Sequence, residues 1–182
     1  MESRGGLRTA TLDDVAAIAR VNVLSWRETY PGLLPRSYLR SLDVDQLTSR
    51  WRDLIRWQQP TQVTMVVEQD GEVVGFANAG PARQRPPAHQ GELYAIYLLA
   101  RAQGRGWGRA LVQAQAAHLL GHGMPRMQIW ALRDNGPARR FYEHLGGTLL
   151  AERDLVMDGV RAKEVCYGWD DLGPLLASRA AQ

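Results

Sequence analysis

Apolar side chains recur at helical spacing from the eleventh residue onward: Val15, Ile18, Ala19, Val23 and Trp26, with Asn22 on the same stripe. Positions three and four apart share one helix face, so this spacing predicts an amphipathic helix. Thr11 and Asp14 stand where an approximate capping box would open it. Pro31-Gly32 should stop it near Tyr30. A short strand, Leu7 to Ala10, is expected before it. A second helical stretch carries Tyr38, Leu39, Leu42, Leu47, Trp51, Leu54 and Ile55 and runs to about Gln59, with Asp43 as a point where it can break.

Beyond Gln59 the period changes. Thr61 to Glu68 is β-branched and predicts a strand. Asp70-Gly71 signals a hairpin turn, with Glu72 to Ala79 as the antiparallel partner. Pro81 to Gln90, with Pro86 and Pro87, reads as a loop. Glu92 to Leu99 is apolar and aromatic and predicts a strand buried on both faces. A glycine-rich stretch, Gln103 to Gly108, then leads into a helix over Trp107 to His122. The small residues Ala110, Ala114 and Ala117 on that helix suit close packing on a sheet. Met127 to Leu132 predicts a strand, and Asn135 to Leu145 a helix ended by Gly146 and Gly147. Two last strands, Thr148 to Arg153 and Lys163 to Trp169, are joined by a turn near Asp158-Gly159. Residues 1–170 thus read as a single α/β domain, with a mixed sheet and helices on both faces. Residues 171–182 read as a flexible tail that frays.

Bulk properties narrow the classes. The chain has 182 residues, 45% hydrophobic and 23% charged, as expected of one globular domain. Net charge is +3, but Arg and Lys are interspersed with Asp and Glu. No basic stripe or reading motif points to nucleic acid. A mild positive field instead suits a phosphate-bearing small molecule. The single cysteine, Cys166, allows neither an internal disulfide nor a cysteine metal site. No secretory signal and no stretch of about 18 apolar residues is present, so the expectation is a cytoplasmic protein without a membrane partner.

The sharpest chemical signal is Gln103-Gly104-Arg105-Gly106-Trp107-Gly108, between a predicted strand and a predicted helix. Glycines let backbone N–H groups approach a ligand. A helix N-terminus adds unpaired donors and a positive dipole end. Arg105 and Arg109 add charge-assisted contacts, and the whole suits a pyrophosphate. The dinucleotide pattern fails, because Arg109 stands at its last glycine, and no Walker A ending follows. The bland alternative is that these glycines serve only a tight turn and close helix–sheet packing.

The strand Glu92-Leu93-Tyr94-Ala95-Ile96-Tyr97-Leu98-Leu99 followed by this loop resembles the central motif of the GNAT acetyltransferases, a strand and then Gln/Arg-x-x-Gly-x-Gly/Ala. The segment Asn135 to Gly146 resembles the next motif, Asn-x-x-Ala-x-x-Phe-Tyr-x-x-x-Gly. The resemblance covers nearly the whole domain and implies a mixed, mostly antiparallel sheet of six to seven strands. Ala100 departs from a common Pro, Ala102 from a common aromatic, and Gly147 from the usual Phe.

The resemblance also implies the chemistry: direct attack of an amine on the thioester of acetyl-CoA, with no metal. The loop Gln103 to Arg109 would cradle the cofactor's phosphates. The strand around Ile96 and Leu98 would splay from its neighbour and pair with the pantetheine arm. The N–H near Ile96 would bind the thioester oxygen. Tyr142 resembles the general acid that protonates the thiolate; otherwise it is a packed helical tyrosine. Asn135 resembles a contact to the cofactor arm, and it also suits a helix N-cap. Glu92 is the candidate general base, acting through water; otherwise it is a solvated strand-end carboxylate. Trp26 and Tyr30 lie where relatives build the acceptor lid, with helix core as the alternative for Trp26. His118 and His122 lack a third metal ligand and read as surface histidines, and Cys166 as a small packed residue. The acceptor is an unidentified small-molecule or peptide amine. The alternatives are a different acyl group, or a coenzyme A-binding sensor without turnover. Relatives often form homodimers, but no interface is legible in the residues.

Overall fold

The structure is a computed structural model and describes residues 5–83, 89–157 and 159–177. Prolines 86 and 87 of the expected loop, Asp158 of the expected turn and the last five residues lie outside the described residues.

The strands are β1 (Gly5–Thr9), β2 (Val63–Gln69), β3 (Glu72–Pro81), β4 (Gly91–Leu98), β5 (Met127–Leu132), β6 (Thr148–Met157) and β7 (Val160–Trp169). The helices are α1 (Val15–Thr29), α2 (Arg36–Ser41), α3 (Val44–Arg56), α4 (Trp107–Gly121), α5 (Gly136–His144) and α6 (Gly173–Ala177). The strands form one sheet in the order β1-β2-β3-β4-β5-β7-β6. Only β4 and β5 run parallel; the other neighbours are antiparallel. The fold is therefore the expected mixed, mostly antiparallel α/β arrangement. No helix among the described residues is long and apolar enough to cross a membrane.

Local chemistry explains the main boundaries. The Asp14 carboxylate accepts from the Thr11 backbone N–H at 2.8 Å, and a 3₁₀ turn at Leu12–Asp14 leads into α1. The Asp43 side chain accepts from the Gln46 N–H at 2.8 Å and starts α3, so the second helical stretch does break there. Asp70 and Gly71 both take positive φ, 52° and 82°, as a tight two-residue hairpin requires.

Two apolar clusters hold the layers together. On one sheet face α1 and α3 cover Val66, Phe76 and Tyr97 through Ile18, Ala19 and Trp51. On the other face, Leu111, Val112, Ala116 and Leu119 of α4, with Tyr142 of α5, pack on Val67, Ala77, Met127 and Tyr167.

Three expectations are corrected. β6 and β7 are ten residues each, longer than the expected Thr148 to Arg153 and Lys163 to Trp169, because the ladder continues through Asp154–Lys163, Leu155–Ala162, Val156–Arg161 and Met157–Val160. Cross-strand pairs of this kind sustain a strand further than either segment signals alone. Residues 173–177 form α6 rather than fraying: Leu172 and Leu175 are buried, and Gln113 Nε2 donates to the Leu175 carbonyl at 2.9 Å. Finally, β4 is buried over Gly91–Leu93 but only half-buried from Tyr94 to Leu98. The reason is the gap described next.

Candidate active site

β4 pairs with β5 only at Gly91–Met127 and Glu92–Gln128. On its other side it stays paired with β3 through Leu98. Asn78 pairs with Ala95 and Ala79 with Leu93, so Tyr94 is the extra residue of a β-bulge. A bulge bends its strand and increases the local twist, and β4 parts from β5 where this one lies. The Leu99 N–H donates to Val74 of β3 at 2.9 Å. Strand alternation then turns the N–H groups of Tyr97 and Ala95 toward β3, and those of Ile96 and Leu98 toward the gap.

The loop after β4 delivers the start of α4 beside this gap. Gly104 and Gly106 take φ of +70° and +82°, and a Cβ at either would meet nothing within 4 Å. Glycine is needed there for backbone shape, and the outer side of the loop is open. Gly108 differs. A Cβ on it would lie 3.2 Å from Phe141 Cζ, so α4 and α5 meet at that point. The Gln103 amide donates to the Leu98 carbonyl at 3.0 Å and ties the loop to the end of β4. Ala100 uses its N–H, which a proline would lack, to bond Glu28 of α1 at 3.0 Å. The Trp107 ring packs toward Gly5 of β1, so only its backbone faces the loop. Arg105 is exposed. Half-buried Arg109 lines a separate cleft of about 570 Å³ with His144, Trp169 and Asp170.

Asn135 caps α5, its side chain accepting from the Ala138 N–H at 3.2 Å. Tyr142 is buried among Phe141, Tyr167 and Trp169, with ring centroids at 5.4, 6.0 and 6.3 Å. It comes from the α4 face of the sheet, Tyr30 and Tyr97 from the α1 face. The three are close enough that ionising one raises its neighbours. Burial pushes all three phenols above their ordinary value, so each keeps its proton near neutral pH.

On the α1 face a cavity of about 460 Å³ opens beside the gap. It brings together three residues singled out in the sequence: Trp26, Tyr30 and Glu92. Trp26 packs edge-on to Tyr30 at 5.1 Å and lies 6.1 Å from Tyr97. Its indole N–H is on the Tyr97 side without reaching hydrogen-bonding distance. Glu92 is not a solvated strand-end carboxylate. It is 3% exposed and accepts three N–H bonds from Arg83: backbone N at 3.0 Å, Nε at 3.1 Å and Nη2 at 2.5 Å.

Residue-level reading of the sequence missed several cavity residues. Arg83 looked like loop. Tyr94 and Tyr97 were read only as strand residues, and Trp130 likewise. Arg153 and Glu164, bonded at 2.5 Å, are a cross-strand pair whose register was not legible. Among the described residues no three His, Cys, Asp or Glu side chains converge as metal ligands. His118 and His122 stack at 4.2 Å, and Cys166 is buried in β7.

Comparison with known proteins bears on this geometry. The chain is 40% identical over 169 residues to the "Uncharacterized N-acetyltransferase YuaI" of Bacillus subtilis (strain 168), covering 93% of this chain and 95% of that one. The PaiA N-acetyltransferase of Thermoplasma acidophilum, solved with coenzyme A, superposes with a TM-score of 0.74 at 17% identity, covering 91% of this chain and 98% of that one. The structure of yncA from Salmonella typhimurium with its cofactor acetyl-CoA gives 0.68 at 21% identity, covering 99% and 98%. The family model for the acetyltransferase (GNAT) family matches residues 23–147, which contain α4, α5 and the whole β4 gap. On that match and the YuaI relationship, the chain belongs to the GNAT acetyltransferase family.

Proposed function

We propose that this protein is an N-acetyltransferase that moves the acetyl group of acetyl-CoA directly to a primary amine of a small-molecule or peptide acceptor. One observation carries the reading. The sheet opens at the Tyr94 bulge, between a helix N-terminus on one side and a proton-bearing Tyr142 on the other.

The residues present fit coenzyme A. Backbone donors of Ile96 and Leu98 face the gap without a β5 partner. The glycine loop leaves its outer side open at the α4 N-terminus, where unpaired N–H groups favour phosphate. Arg105, exposed on the loop, adds charge at the same end, while Arg109 lines the neighbouring cleft. Bound acetyl-CoA supplies the activated thioester. Ile96 N–H then stabilises charge developing on the carbonyl oxygen, and one such donor is worth about 10²–10³ in rate. Tyr142 holds a proton for the departing sulfur. Glu92 takes the amine's proton through water, using an oxygen lone pair that Arg83 leaves free; a carboxylate has roughly four such sites. Trp26 and Tyr30 wall the acceptor cavity.

The Arg83 clamp on Glu92 favours a second reading, in which the chain binds coenzyme A as a sensor without turnover. The test is thiol release from acetyl-CoA across a broad amine panel, for wild type and Tyr142→Phe, with acetyl-CoA binding measured on the same preparations. Amine-dependent release that falls in the variant supports transfer. Binding with no release from any amine selects the sensor. No binding at all ends both readings. Running the same panel with longer acyl-CoAs determines the acyl preference.

A further inference from the structure

We infer that the acceptor is a single amine on an aromatic or apolar body that also carries a carboxylate, and that Arg83 recognises the carboxylate. The inference rests on the acyltransfer reading of the cavity and names its substrate class.

The cavity walls are largely aromatic, from Trp26, Tyr30, Tyr94, Tyr97 and Trp130. They suit a flat or apolar body. Its charges are two guanidiniums and two carboxylates, which balance. They are not equally accessible. The Glu92 side chain is 4% exposed under Arg83, which is 61% exposed; the Glu164 side chain is 10% exposed under Arg153, at 34%. Each arginine also lies over a wall ring, Arg83 4.4 Å from the Tyr94 centroid and Arg153 3.8 Å from that of Trp130. An incoming molecule therefore meets guanidinium before carboxylate. A polyamine finds cations at the entrance and only covered anions beneath.

The uncommitted polar atoms point the same way. Among the described residues Arg83 bonds Glu92 through its backbone N, Nε and Nη2, which leaves Nη1 with two free donors. The Trp130 indole N–H is buried without a partner. A buried unsatisfied donor is uncommon in native proteins, and one in a cavity wall is available to an acceptor group that enters. Donors select an acceptor-bearing group, and a planar fork selects a carboxylate. The amine goes to the gap near Ile96 and the carboxylate stays at Arg83, so the two are separated by the apolar body.

Calorimetry on the coenzyme A-saturated protein tests this with 4-(aminomethyl)benzoate, benzylamine, 4-methylbenzoate and spermidine. Both benzoates should bind at least tenfold more tightly than benzylamine or spermidine. Arg83→Gln should abolish that preference by weakening both benzoates at least tenfold, while benzylamine binds no more weakly than to wild type, because the variant uncovers the Glu92 carboxylate. Benzylamine or spermidine binding as tightly as 4-methylbenzoate, a preference unchanged in Arg83→Gln, or no binding by either benzoate would each overturn the inference. Thiol release is followed with the same compounds. Release with amines irrespective of a carboxylate keeps acetyl transfer and removes this substrate class. Tight benzoate binding without release from any amine keeps the anion site and removes transfer.

Discussion

Gly108→Ala adds one methyl where the first turn of α4 meets α5. The new Cβ would lie 3.2 Å from Phe141 Cζ, 3.3 Å from Cε2 and 3.6 Å from Leu98 Cδ1. Carbon pairs settle at about 3.5–4.0 Å, so the ring must yield by a few tenths of an ångström. Overpacking of this kind costs about 1–3 kcal/mol. Against it, alanine favours a helix over glycine by up to about 1 kcal/mol. The net loss is roughly 0–2 kcal/mol, or a fall in Tm of up to about 8 °C for a chain of this size. Phe141→Leu removes the ring atoms in contact. In that background the same Gly108→Ala change should stabilise the protein by up to about 1 kcal/mol. Denaturant unfolding of the four combinations should therefore give a coupling energy of about 1–3 kcal/mol. Phe141 precedes Tyr142, so kcat should also fall in Gly108→Ala, by about tenfold, since small misplacements at a reacting centre cost heavily. It should recover in the double variant relative to Phe141→Leu. A Gly108→Ala effect of equal size and sign in both backgrounds would refute the packing argument.

Other consequences follow from the same packing and pairing. Burial raises the Tyr142 phenol, so its proton is retained through the alkaline range; kcat should show no Tyr142-dependent decline below about pH 10, and Tyr142→Phe should cost about 10²–10⁴ at every pH tested. A decline near pH 8 that vanishes in the variant would contradict this. The Arg8 guanidinium, bonded at 2.8 Å, holds the Asp14 carboxyl below its ordinary value. A carboxylate lowered on folding stabilises above its unfolded value, near 3.9, and the contribution disappears as pH falls through the folded value. Asp14→Asn should thus cost about 1 kcal/mol at pH 7, a modest figure because Arg8 is 42% exposed. Urea midpoints should show that difference shrinking as pH drops below about 4. Burial pushes the Cys166 thiol up to about 12, so it should stay unmodified by Ellman's reagent at pH 8 until the protein is denatured. Prompt native labelling would show that β7 opens there.

Much of the fold was legible because it is encoded locally. The helical stripe of Val15, Ile18, Ala19 and Val23 packs inward as its spacing implied. Asp43 breaks the second helical stretch where expected, and Asn135 caps α5 as its residue type suits. Asp70-Gly71 turns its hairpin. Where expectation failed, the determinant was a partner on another element. β6 runs on to Met157 and β7 starts at Val160 because Leu155 pairs with Ala162, Val156 with Arg161 and Met157 with Val160. α6 forms because Leu172 and Leu175 find α4, and local composition carries no record of that surface.

The candidate site divides along the same line. The glycine loop, Tyr142, Asn135 and the order of elements are written in short motifs, because positive φ, helix capping and helix packing depend on neighbours in sequence. The β4 gap is not written there: it depends on β5, β7 and a one-residue bulge at Tyr94 acting together. Nor does the sequence reveal that Glu92 is buried beneath Arg83, nine residues earlier, or that Arg153 and Trp130 stack to close the same cavity. By itself the sequence determined the family motifs and the glycine loop at the start of α4, both built from contiguous backbone. Only tertiary structure decided the charge and shape of the cavity beside the β4 gap, because α1 and four separate strands each supply part of its wall.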